Sequence, residues 1–418
     1  MPATKEAPAV PFSTVSRLIA ARGLKFAEFW FTDLPGRPWR ITMPVEAVDE
    51  RLFAEGLPLD GQPVGGTWDG VMILQPRLDA VYADGTGAAP TLAMVCDILD
   101  PETRRPCRLE PRHVLSAACA VVSERLGGTP ALGIEPEFLL LEKGVPAPES
   151  VVWDFLRALA LALGAAGVQV DWFRTGPACG QGRVQMRADH PLLMADRVIL
   201  YRHLAANIAR TRGLTASFLP RPVAEGGTPG MPMHFALWRD GVNLFHDEAG
   251  WALTSRTARC FAGGLLARTP ALAAFCAPTT NSYRRLIPGV SGPTKPLLSA
   301  TDRHALCRIP ARSTAPGARR VKFWLADPSA NPYLAIAAAL MAGLEGAERG
   351  TEAPFDGAVP GRSPVPHSLE AALDALDAGR PFLKEGGVFE DALIDAWIAE
   401  RWNRHVVPVR VAPHPREL

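Results

Sequence analysis

Two stretches of alternating apolar and polar residues, each folded about a short turn, constrain this chain more than any other feature. From Leu24 to Ala47, Lys25, Glu28, Phe29, Phe31 and Thr32 lie on one arm and Trp39, Ile41 and Met43 on the other. Asp33-Leu34-Pro35-Gly36-Arg37 joins them, with proline and glycine where a hairpin wants them. From Phe235 to Phe245, Arg239-Asp240-Gly241 separates two apolar arms, and Asp-Gly is a strong hairpin signal because both residues tolerate positive φ. Period-two alternation gives each arm one face toward a core, so a small antiparallel sheet is expected first and a wide antiparallel sheet later.

Between and beyond the hairpins, strand-like and helix-like runs follow one another. Gly70 to Leu74 and Thr91 to Asp97 read as strands, the turn Asp100-Pro101-Glu102-Thr103 follows, and Glu110 to Leu126 has helical spacing. Leu132 to Leu141 reads as one strand, Val152 to Leu163 as a helix ended by glycine, and Pro191 to Arg212 as a helix closed by Gly213. Asp327 to Gly343 reads as a helix with Pro328 and Pro332 in its first turn, and residues 351–365 as an exposed loop rich in proline and glycine. This order predicts an α+β fold of two unequal domains, with a boundary near residue 105, rather than a doubly wound parallel sheet.

At 418 residues and 48% hydrophobic the chain can fill a core of that size. Its 44 lysines and arginines nearly balance 43 aspartates and glutamates, which leaves no whole-chain field to gather nucleic acid or an anionic membrane. No apolar run approaches the roughly 18 residues needed to cross a bilayer, and the first fifteen residues carry no signal-peptide core, so a cytoplasmic location is expected. The seven cysteines, 96, 107, 119, 179, 260, 276 and 307, are odd in number and never form a CxxC pair. They read as reduced, packed thiols, with Cys179 alone in a glycine-rich segment.

Several unbroken strings give the chain a resemblance. Phe31-Thr32-Asp33-Leu34-Pro35-Gly36, Glu135-Pro136-Glu137-Phe138, Leu237 to Phe245, Asn281 to Gly289, Arg308-Ile309-Pro310 and Asp327 to Leu334 resemble, in order and spacing, signatures of glutamine synthetase and its γ-glutamyl ligase relatives. The resemblance implies a small N-terminal β-grasp domain at 13–105 and a large catalytic-type domain at 106–418 with an antiparallel sheet and helices. It also implies a ring-type homo-oligomer, a dodecamer in many members, whose active sites form between one subunit's large domain and its neighbour's small one. ATP and Mg or Mn are the implied cofactors, because phosphoryl transfer to a γ-carboxylate needs dications to neutralise charge on the phosphate oxygens.

The family holds those hard ions with five glutamates and one histidine. Glu135 and Glu137 match two of the glutamates, and, two apart on a strand, they would point to one face. The next pair, in a family segment of glutamate, four residues, glutamine, one residue, glutamate, falls on Gly176 and Arg183. The histidine position holds Pro232, while His234 matches a second family histidine near nucleotide and substrate. The last glutamate position holds Lys322, the arginine that grips the substrate carboxylate is Trp324, and the flap glutamate is Ser291. On the retained side, Asp60 matches the small-domain aspartate that deprotonates ammonium. Arg285 matches a substrate-binding arginine, Arg303 a catalytic one, and Arg308 and Arg320 match nucleotide- and phosphate-binding ones.

The expectation is therefore a pseudoenzyme that keeps fold and oligomer and binds a metabolite or supports an active paralogue. Two alternatives stay open. One is a diverged ATP-dependent carboxylate-amine ligase using another amine or acid, in which Arg183 and Lys322 partly replace metal charge. The other is a nitrogen-metabolite sensor. Small metabolites and protein subunits are the expected partners, not nucleic acid or membrane.

Overall fold

The chain is seen in a computed structural model that describes residues 12–60, 70–224, 226–287, 292–310, 314–356 and 365–412. Five strands build the first sheet: β1 (Phe26–Thr32), β2 (Pro38–Pro44), β3 (Leu57–Asp60), β4 (Val71–Asp84) and β5 (Thr91–Leu99), in the order β2-β1-β5-β4-β3. The predicted hairpin is β1 with β2, antiparallel from Phe26 opposite Pro44 to Thr32 opposite Pro38. The sheet is not wholly antiparallel, because β1 runs parallel to β5. That pairing places β1 between β2 and the central strand β5, which no local alternation reports.

Alternation along these strands serves two cores. Phe29 and Phe31 of β1, with Leu92, Met94, Cys96 and Ile98 of β5, bury themselves in a small core that Val15 of helix α1 (Phe12–Arg22) joins. Trp30, Ala93 and Val95 face the other way, into the core of the large domain. The small domain is thus built as a lid whose outer face has its own core and whose inner face is docked.

The second sheet has eleven strands. They are β6 (Thr129–Ile134), β7 (Glu137–Glu142), β8 (Val145–Pro146), β9 (Val170–Thr175), β10 (Gln181–Asp189), β11 (Leu214–Ser217), β12 (Met233–Arg239), β13 (Val242–Asn243), β14 (Lys295–Ser299), β15 (Ala305–Arg308) and β16 (Val321–Phe323). The main path is β11-β7-β10-β6-β12-β16-β15-β14, antiparallel throughout except for β14 beside β15. The β12–β13 turn forms where Asp-Gly predicted it, with Asp240 and Gly241 both at positive φ.

Helices α2 (Glu50–Glu55), α3 (Pro111–Leu126), α4 (Glu149–Ala165), α5 (Pro191–Thr211), α6 (Arg256–Ala267), α7 (Thr269–Cys276), α8 (Thr280–Arg285), α9 (Pro332–Arg349), α10 (Leu369–Gly379), α11 (Pro381–Lys384), α12 (Asp391–Arg401) and α13 (Val407–Val411) pack around the sheets. α3 and α5 lie where the periodicity puts them. α4 runs past Gly164, and Gly167, at φ +86, is the glycine beyond its end. α9 starts later than expected because Asp327 accepts from the backbone and hydroxyl of Ser329 in a tight turn, and Asn331 then caps the helix through Tyr333 N and Leu334 N, with Pro332 at its first position. Residues 351–356 form the expected loop, with Thr351, Glu352 and Pro354 exposed, but it is anchored to the core. Ala353 is buried, Phe355 packs against Trp251, and Asp356 accepts from Ala300 N at 2.9 Å; residues 357–364 lie outside the described residues.

Two polar joints fix the domains together. Asn331 Nδ2 donates to Leu34 O at 3.0 Å, and a Cβ on Gly36, at φ +87, would sit 2.9 Å from Asn331, so only glycine lets that turn approach. Deeper in, Arg112 of α3 makes a bidentate pair with Asp196 of α5 at 3.0 Å through both nitrogens and a second contact with Asp97 of β5. Tyr333 Oη donates to the same Asp196 at 2.7 Å. Arg112, Asp196 and Tyr333 are buried and, with the half-buried Asp97, mutually satisfied.

Candidate functional site

The expected single strand from Leu132 to Leu141 is two strands, because Pro136 has no N–H to give to a ladder. Glu135 therefore stands in the link between β6 and β7, and Glu137 opens β7. The backbone of the preceding β12 segment runs alongside: Glu135 N donates to Pro232 O at 3.1 Å and Glu137 N to Gly230 O at 3.0 Å. Both glutamates are 3% exposed or less.

Strand register brings the other groups to them. His234 of β12 lies opposite Gly133 of β6 and Lys322 of β16, and Lys322 lies opposite Arg308 of β15, so one row crosses four strands. Side chains in one row share a face, and so do residues two apart. Arg320, Lys322 and Trp324 thus follow one another along the same side of the β16 segment. Arg183 of β10 lies directly opposite Glu137 of β7.

Both carboxylates are held by cationic neighbours. Arg183 bridges them, with Nη1 donating to Glu135 Oε2 at 3.2 Å and Nη2 in contact with Glu137 Oε1. Lys322 Nζ donates to Glu135 Oε2 at 2.7 Å. Glu137 Oε2 accepts from Gln181 Nε2 at 2.9 Å and from Gly230 N at 2.8 Å. The remaining Glu135 oxygen lies 2.9 Å from His234 Nε2, close but off the axis of a well-aligned hydrogen bond. Burial alone would push the Glu135 carboxyl up; the His234 contact and the Lys322 ammonium hold it below the usual carboxylate range. Burial brings Lys322 down to about 8 against the pull of Glu135, and brings His234 down to about 3, so the imidazole is neutral.

Trp324 closes the cluster. Its ring has Lys322 Nζ 4.5 Å from the centroid, the Arg183 guanidinium at 5.3 Å and that of Arg308 at 5.7 Å. Its indole N–H and the Nε of Arg320 are buried without a partner among the described residues. Position 176 is also filled: a Cβ on Gly176 would lie 2.5 Å from the side chain of Gln181, the group that reaches across to Glu137.

The other expected residues fall elsewhere. Arg285, at the end of α8, is buried and donates to the carbonyls of Trp324 and Leu325 at 3.1 and 3.2 Å. Asp60 ends the edge strand β3 and is exposed, as is Arg303 in the turn before β15, so neither belongs to the buried cluster. Ser291 lies outside the described residues. The sequence reading missed Gln181 and Gly230 as donors to Glu137 and the cation-bearing ring of Trp324. The i, i+2 run Arg320, Lys322, Trp324 was the available signal for the last.

Among the described residues no group of three or more His, Cys, Asp or Glu side chains is arranged to hold a metal ion. Six family positions were expected to supply oxygen or nitrogen ligands. Gly176 and Pro232 offer no side-chain donor, Arg183 and Lys322 offer positive charge, and Glu135 and Glu137 are already paired to those cations. This donor set does not fit a pair of hard dications.

Residues 108–418 match the family model described as the glutamine synthetase catalytic domain, and residues 23–101 the one described as the glutamine synthetase beta-grasp domain. Similar curated proteins include the glutamine synthetase of Frankia alni, 35% identical, and that of Mycolicibacterium smegmatis, 32% identical, each alignment covering 97% of both chains. Among solved structures, Plasmodium falciparum glutamine synthetase aligns with a TM-score of 0.87 at 17% identity, covering 99% of each chain. The apo form of GmaS aligns with a TM-score of 0.85 at 24% identity, covering 96% of this chain and 98% of the other. At those identities the structural likeness speaks to the fold alone.

Proposed function

The chain belongs to the glutamine synthetase family, and from that premise we propose that it is a member without two-metal phosphoryl transfer, acting as a non-catalytic subunit that binds a small anionic metabolite. The observation that carries this reading is the pairing of Glu135 and Glu137 with Arg183 and Lys322. A dication entering there would displace two hydrogen-bonded cations and then face them. At an effective dielectric near 20, unit charges about 4 Å apart interact by about 4 kcal/mol, and a dication doubles that.

The arginine half of the site favours an anion ligand. Arg308 and Arg320 stand beside the neutralised pair, and Arg320 Nε and Trp324 Nε1 are donors in search of an acceptor. An oxyanion such as a carboxylate or phosphate satisfies them. Arg285 is a structural brace in this reading, since its donors are held by carbonyls. Asp60 and Arg303, exposed on one subunit, act only if a neighbouring chain covers them, so a ring of identical chains, or a mixed ring with an active paralogue, is part of the proposal. The diverged-ligase reading is weaker, because it needs Arg183 and Lys322 turned toward a phosphate rather than onto Glu135.

The test is ADP release from ATP by the purified chain with glutamate, Mg or Mn, and a panel of amines that includes ammonia. Release no greater than the protein-free blank is expected, from a species whose native mass is a multiple of the 44.9 kDa chain. Turnover above the blank with any amine overturns the reading.

A further inference from the structure

Resting on the absence of two-metal chemistry, we propose that Arg183 and Lys322 are built-in substitutes for the missing cations, so that this subunit folds independently of divalent ions and retains a latent metal site that charge reversal at two positions restores.

Charge and geometry carry the argument together. Two buried carboxylates that one guanidinium bridges repel each other and have lost water, so the fold needs two positive charges against them. Arg183 and Lys322 supply two. Arg183 places one nitrogen on each glutamate, which is the bridging geometry of an ion shared by two ligands. Lys322, on β16, takes the same oxygen of Glu135. Three separate segments, the β6–β7 link, β10 and β16, are thereby cross-linked through one buried charge cluster.

The substitutes are also fixed in place. Both cations pack on the ring of Trp324, and both residues are only 8% exposed. Unlike a bound ion, they cannot be removed by a chelator. The scaffold beneath them still carries the glutamates and faces Arg183 and Lys322 toward them, so replacing the two cationic side chains by carboxylates puts four acidic groups around one point.

Thermal unfolding with and without EDTA, and with added Mn, reads the proposal. The wild-type midpoint should stay unchanged in all three conditions. The double variant Arg183→Glu/Lys322→Glu should unfold at lower temperature in EDTA. With Mn at ~100 times its Kd, that variant's midpoint should rise by several degrees, and it should retain Mn after desalting where the wild type does not. A second variant, Arg183→Gln/Lys322→Gln, removes the cations without adding ligands and should be less stable than wild type in EDTA. A wild-type midpoint that falls in EDTA overturns the proposal. So does a Gln variant as stable as wild type, or a folded Glu variant indifferent to Mn. If the Glu variant does not fold even with Mn, the restored site is refuted. These outcomes are separate from ATP turnover by the wild type, which would refute the non-catalytic reading instead.

Discussion

A buried carboxylate stays charged only while a positive group faces it, and Lys322 shares that task with Arg183 for Glu135. Lys322→Met keeps the length of the stem and deletes the ammonium, leaving one cation between two glutamates. Breaking a buried pair from one side costs about 3–5 kcal/mol, so the urea midpoint should fall with the slope unchanged; a loss of under ~1 kcal/mol would mean the pair is solvated. The identities that matter here were readable from the sequence, since Glu135, Glu137, Arg183 and Lys322 are named by position. Their pairing was not, because the way a long side chain turns depends on register between strands 48 and 187 residues apart. Gln181 escaped for the same reason, as did the packing of Arg183 on Trp324: each acts across the sheet on a partner that is remote in sequence.

At the scale of elements, α6 and α9 cross where both have only hydrogen atoms to offer. A Cβ on Gly264 would stand 2.0 Å from Ala342 O, and one on Gly346 would stand 2.3 Å from Cys260 O. Gly346→Ala should therefore force the helices apart and cost about 1–3 kcal/mol by overpacking. Gly164→Ala, in α4 with open space around it, should instead stabilise by about 0.4–1 kcal/mol; the two melting temperatures should move in opposite directions. The hairpins and long helices were legible because their periodicity and turn residues are local. The break at Pro136 and the late start of α9 were not, since both are decided by which backbone groups find a partner. The parallel β1–β5 pairing is likewise a matter of topology that alternation leaves open.

For the whole molecule, two buried groups set opposing pH dependences. Burial lowers His234 from 6.5 to about 3, so it takes up a proton on unfolding and its contribution, complete above about pH 6.5, is lost as pH falls toward 3. Glu110, which caps α3 through Arg112 N and His113 N, is raised by burial from 4.5 to about 8; its contribution is complete below about 4.5 and lost as pH rises through 8. The two slopes, each up to about 1.36 kcal/mol per pH unit, oppose each other between about 4.5 and 6.5. Urea unfolding at stepped pH should show His234→Gln flattening the acid side and Glu110→Gln the alkaline side; an unchanged profile in either variant refutes its assignment. Six signature strings made the architecture legible at this scale, whereas the environments of Asp60 and Arg303 were not, because the chain leaves both at its surface. The Glu135–Lys322 contact also bears on time. Its partners meet only when a chain segment of 187 residues has closed and β16 has found its place between β12 and β15. Contacts with that much intervening chain form late on the way to the native state, so this one slows escape from the folded state more than it speeds arrival, and lends the fold persistence.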